Sequence, residues 1–130
     1  MRARAGVLAL LAALPGCVDA PAVVGSSRSP DNHLVARLLR AGDRTAPHLT
    51  LDAGLAPSGP FTTIAELADR SEPFPLRWTG PATLQARLPC ATTRLRGQLR
   101  QQIMLPDTRQ PVTVALSRPA ACRLPLLPMR

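Results

Sequence analysis

The sequence predicts a mainly β domain: a small antiparallel β-sandwich or partly open barrel with one or two short helices. Three observations point there. Apolar and polar residues alternate along the second half: Leu84, Ala86 and Leu88 against Thr83, Gln85 and Arg87, then Val112, Val114 and Leu116. Between these runs Leu95, Gly97, Leu99, Ile103 and Leu105 alternate with Arg96, Gln98, Arg100, Gln102 and Met104, with Gln101 as the misfit. A period of two gives a pleated strand one buried and one wet face. Turn signals separate the runs, at Gly80-Pro81 and over Pro106-Asp107-Thr108-Arg109-Gln110. Finally, 130 residues suffice for one small core and not for two.

Taken in order, residues 31–42 (DNHLVARLLRAG) read as a helix. Asp31 or Pro30 starts it, Leu34, Val35, Leu38 and Leu39 form an apolar stripe, and Gly42 stops it. Leu49, Leu51 and Ala53 alternate with Thr50 and Asp52, as in a short strand. Thr63-Ile64-Ala65-Glu66 matches a capping box, which predicts a short helix over Ile64 to Arg70 between Pro60 and Pro73. Leu76 and Trp78 then share one face of a strand. The runs at 95–105 and 112–116 are expected to pair as one long antiparallel hairpin. Pro119, Pro125 and Pro128 oppose a regular final strand, so the tail from Leu124 to Arg130 either packs over a sheet edge or is exposed for a partner.

The N-terminus is a different kind of sequence. Met1-Arg2-Ala3-Arg4-Ala5 is a short basic region, followed by an uncharged apolar run from Gly6 to Leu14. Nine residues of helix cannot cross about 30 Å of hydrocarbon, but the order basic, apolar, small fits a secretory signal. Leu14-Pro15-Gly16-Cys17 resembles the lipobox of bacterial lipoproteins, although Pro15 stands where Ala, Ser or Thr is usual. The resemblance implies that Cys17 carries diacylglycerol and that a signal peptide of residues 1–16 is cleaved just before it. Val18 after the Cys implies, by resemblance to enterobacterial sorting, the outer membrane facing the periplasm. The alternative is an ordinary secretory signal cut near Ala20-Pro21-Ala22, releasing a soluble periplasmic protein. Residues 18–30 lack periodicity and hold Gly, Ser and Pro, so they read as a flexible tether ahead of a single domain over 31–130.

Either route of export takes Cys17 out of thiol pairing, and Cys90 and Cys122 remain. An oxidising periplasm favours joining them, which would staple the hairpin to its neighbouring strand. No CxxC or clustered His accompanies them, so neither a zinc nor a redox site is expected.

All sixteen basic residues are Arg, and the net charge is +8. Removing Arg2 and Arg4 leaves fourteen Arg against eight acids, a net +6. That charge suits anionic lipid or phosphate. Nucleic-acid binding is not expected, because Trp78, Phe61 and Phe74 are the only aromatic residues and none lies in a basic-aromatic pattern.

The titratable inventory is thin: two His, two Glu and six Asp. His33 and His48 show no metal-chelating spacing, and Glu66 with Asp69 has ordinary surface spacing. Ser58-Gly59 lacks the flanking glycine of a nucleophile elbow. No catalytic residue, metal site or cofactor is therefore expected. Candidate binding residues are Trp78 beside Arg77, the alternative for Trp78 being the centre of the core, and Arg94, Arg96 and Arg100. These three arginines are expected on one strand face, as a solvated surface, a contact for anions, or a guard against edge pairing. Two functions follow: an anchored, non-catalytic envelope accessory protein that binds another protein, or a ligand-binding or hydrolase-inhibitor module.

Overall fold

The computed structural model describes residues 21–40, 48–68, 72–108 and 110–129. Within these residues ten strands form two sheets: β1 (Ala22–Arg28), β2 (Leu34–Arg40), β3 (Leu49–Leu55), β4 (Phe61–Ala68), β5 (Leu76–Gly80), β6 (Thr83–Arg87), β7 (Arg94–Arg96), β8 (Arg100–Ile103), β9 (Val112–Ser117) and β10 (Leu127–Pro128). The first sheet runs β1-β2-β3-β4-β7-β10 and the second β5-β6-β9-β8. Pairing is antiparallel except for β6 with β9 and β7 with β10. The core between the sheets is filled by Leu38, Leu49, Leu51 and Leu67 from one side and Leu84, Leu88, Val114 and Leu116 from the other.

Among the described residues there is no helix, and four expectations are corrected. The stretch expected as a helix over 31–42 contains β2. The Leu34, Val35, Leu38 and Leu39 stripe belongs to a strand flanked by β1 and β3, whose two faces are both largely covered. Asp31 and Asn32 do not start a helix; they turn the β1–β2 hairpin. Asp31 accepts from the Ser29 hydroxyl at 2.7 Å and from the His33 amide at 3.2 Å, while Asn32 takes φ 62°. The residue types that cap helices also close turns by the same side-chain bonds.

The helix expected over Ile64 to Arg70 is likewise replaced, as far as Ala68, by β4. Phe61, Thr62, Thr63 and Ile64 suit a pleated surface, and Glu66 pairs across to Arg96 instead of capping. Part of the expected tether is strand as well: residues 22–28 form β1, in register with β2 from Ala22↔Arg40 to Arg28↔Val35.

The hairpin is correct only in its second half. β8 pairs antiparallel with β9, but the expected 95–105 strand breaks at Gly97 (φ 125°), so that β7 joins the first sheet and β8 the second. The tail packs over a sheet edge: the Leu127 and Met129 amides donate to Thr93 and Leu95 carbonyls, both at 2.8 Å. The intervening Pro128, which has no N–H, stands where none is needed.

The strands of the two sheets share ends. The β1–β2 turn lines a groove together with the β5–β6 turn at Pro81-Ala82 and with Thr108 and Gln110 of the β8–β9 turn. At the opposite end lie Ala22, where β1 begins, and the ends of β6 and β9 at Arg87 and Ser117. Two side-chain contacts hold the sheets in this alignment. Trp78 Nε1 donates to the Ser27 carbonyl at 2.9 Å, and Gln101 Nε2 donates to the Ile64 carbonyl at 3.2 Å.

Candidate functional site

The wet face of the second sheet carries a cluster of arginines. Register aligns Arg77, Gln85, Ala115 and Arg100 in one row across β5, β6, β9 and β8. One row below, Arg87 pairs with Ser117, and Arg118 follows at once. One of the two central strands, β9, supplies small side chains at Ala115 and Ser117, flanked by longer ones from β6 and β8. The result is a cleft of about 670 Å³ walled by Arg77, Arg87, Arg100 and Arg118.

No acidic residue occurs in β5, β6, β8 or β9, and among the described residues none lines the cleft. Three of the chain's carboxylates are engaged elsewhere: Asp52 with Arg37, Glu66 with Arg96, and Asp31 with Ser29 and His33. Among the described residues, no carboxylate pairs with Arg77, Arg87 or Arg100. Four guanidinium groups around one concavity make a strongly positive surface.

Arg118 is held in place by its backbone neighbours. Its terminal nitrogens donate to the Leu124 carbonyl at 2.8 Å and the Cys90 carbonyl at 3.1 Å, while its Nε is buried with no protein acceptor. Cys90 is joined to Cys122 by the expected disulfide, with Cα atoms 5.2 Å apart. The bridge closes the ends of the parallel pair β6 and β9, as the sequence implied for the hairpin and its neighbour.

The other candidate residues fall in different places. Trp78 is buried on the face of β5 opposite Arg77 and ties that strand to β1, so the two form no joint site. Arg94 and Arg96 do not share a strand with Arg100. They lie on β7 in the first sheet, where Arg96 meets Glu66 at 3.2 Å, because the chain changes sheets at Gly97. Cys17 lies outside the described residues. Arg87, Arg118, Gln85 and Ser117 were not among the expected site residues. Arg87 and Gln85 had a signal, being the wet positions of the 83–88 alternation, whereas Arg118 and Ser117 reach the cleft through a parallel pairing that periodicity cannot show.

The chain matches no family model, no curated protein and no solved structure.

What the cleft can do follows from its groups. Guanidinium forks bind carboxylate or phosphate oxygens in pairs. Among the described residues the lining offers one hydroxyl, Ser117, and no imidazole or carboxylate. No aromatic ring lines it on which a base could stack.

A second groove, of about 390 Å³, lies at the far end among Asp31, His33, Leu34, Leu55, Pro81 and Ala82. Thr108 on its rim donates its hydroxyl to the Leu105 carbonyl at 2.7 Å and lies 3.8 Å from the sulfur of Met104, a residue 59% exposed. Among the described residues no cluster of His, Cys, Asp and Glu is set to hold a metal ion, and no helix is long and apolar enough to cross a membrane.

Proposed function

We propose that the chain is a lipid-anchored, non-catalytic accessory protein of the cell envelope that works by binding, with the arginine cleft as its working surface and an anionic group as its ligand. The cleft carries this reading: four arginines line a concavity that, among the described residues, no carboxylate lines. Export is supported by the Cys90–Cys122 disulfide, which belongs to an oxidising compartment. The anchor is diacylglycerol on Cys17, in the outer membrane with the domain in the periplasm. Because Leu and Val side chains fill the space between the sheets, recognition belongs to the outer surface. A protein partner of the envelope is assigned to the opposite end, where exposed Met104 and the second groove offer an apolar contact.

Titration of the unlipidated mature chain with pyrophosphate, followed by calorimetry and amide NMR, tests the cleft. Expected are saturable binding, shifts confined to β5, β6, β8, β9 and Arg118, and about ten-fold weaker binding for each arginine replaced by Gln. No binding, or shifts spread over both sheets, overturns the reading. Radiolabelled palmitate tests the anchor: label on the wild type and none on Cys17→Ala is expected, and an unlabelled soluble product refutes it.

A further inference from the structure

The arginine cleft and the start of the domain lie at the same end of the sandwich. Ala22 pairs with Arg40 in the row that continues through Leu49 and Leu67, at the end away from the β1–β2 turn. In the second sheet that end is marked by Arg87 and Ser117, since the opposite turns, at Ala82 and Thr108, close the groove shared with the β1–β2 turn. Arg77 and Arg100 lie in the next row, two residues in from that end.

Only four residues separate Cys17 from β1. Five Cα steps span at most about 17 Å whatever path they take. A lipid on Cys17 therefore keeps the start of β1 near the head groups, and β1 cannot lengthen the tether without leaving β2. The end of the sandwich so held is the one with Arg77, Arg87, Arg100 and Arg118. Anionic leaflets attract such residues within a Debye length of about 8 Å, and each guanidinium there strengthens adsorption about five-fold.

We infer that the anionic group taken by the cleft is lipid phosphate: the domain lies with its arginine end against anionic head groups of the membrane that holds Cys17, leaving the groove end facing away. This rests on the lipoprotein and anion-cleft reading above and names the ligand of that cleft. Lipid acylation and cleft binding then act together, the first fixing the distance and the second the orientation.

The test uses the mature chain with Cys17→Ser, so that adsorption reports the protein surface and not the acyl chains. It is sedimented with vesicles of phosphatidylcholine alone and of phosphatidylcholine with 30 mol% phosphatidylglycerol, roughly the anionic content that gives a surface potential of tens of millivolts. Expected are binding to the anionic vesicles only, release by salt, and about 25-fold weaker binding for Arg87→Gln/Arg100→Gln. Arg28→Gln, at the groove end of β1, serves as the control and is expected to bind as the wild type does; circular dichroism checks that all variants fold. Equal losses in the control and the cleft variant would overturn the inference, as would no adsorption to anionic vesicles. Retained pyrophosphate binding without adsorption would sink the lipid assignment while leaving the anion cleft standing; loss of both would remove the cleft reading as well.

Discussion

Arg37 and Asp52 show what a guanidinium does here when it has a partner. Directly paired on β2 and β3, they join through two hydrogen bonds of 3.0 and 2.8 Å, and the guanidinium carbon lies 3.4 Å from the centre of the Phe61 ring. The bond to Asp52 raises the Arg37 pKa above its ordinary value. Asp52 keeps 8% of its side chain exposed and Arg37 27%, so Asp52→Ala strands a half-buried cation. The expected cost is about 2–3 kcal/mol in urea unfolding, below the range for fully buried pairs because water still reaches Arg37. Asp31 offers a milder case. Its hydrogen bond from Ser29, followed by that from His33, lowers its pKa from 3.8. A depressed carboxylate adds stability that is present above the unfolded pKa and is lost as pH falls through the folded one. Asp31→Asn is therefore expected to flatten the decline in melting temperature below about pH 4, relative to wild type. An unchanged acid limb would show that the Ser29 bond contributes nothing.

At the scale of elements, the architecture depends on where one strand changes sheets. Gly97 makes that change at φ 125°, and a Cβ there would come within 3.0 Å of the Ile64 carbonyl. Gly97→Ala is expected to cost about 1–3 kcal/mol, from a backbone region that L-residues avoid and from the crowding of β4. Melting equal to wild type would mean that β7 and β8 tolerate another crossing. The same glycine explains how much of the fold was legible. Alternation over 83–88 and 112–116 placed β6 and β9, and inward parity survived the crossing at Leu95, Ile103 and Leu105. Leu99, however, is 43% exposed, because a crossing residue belongs to neither face. β2 was misread since covering both faces of a strand erases its alternation. The cleft was half legible: Arg77 and Arg100 were singled out, but only register across four strands joins them to Arg87 and Arg118.

Across the whole molecule, the acids of the described strands are confined to the first sheet. Carboxylates of the first sheet neutralise arginines beside them, while the strands of the second carry Arg77, Arg87 and Arg100 with no acid. Like charges repel, and the Cys90–Cys122 bridge stands at the Arg87 end of the second sheet. It links residues 32 apart, and in the chain-entropy model a loop of that size contributes about 3–4 kcal/mol by restricting the unfolded chain. Replacing both cysteines, as Cys90→Ala/Cys122→Ala, avoids a free thiol and is expected to lower the melting temperature by about 10–20 °C. The loss reaches the cleft too, because Arg118 donates to the carbonyl of Cys90 and to that of Leu124, two residues beyond Cys122. Pyrophosphate binding by the double variant, measured well below its melting point, is therefore expected to weaken, and added salt is expected to restore part of the lost stability by screening the arginines. A lower melting temperature with undiminished binding would show that Arg118 is positioned without the bridge. Equal melting would show that packing of β6 against β9 already outweighs the repulsion.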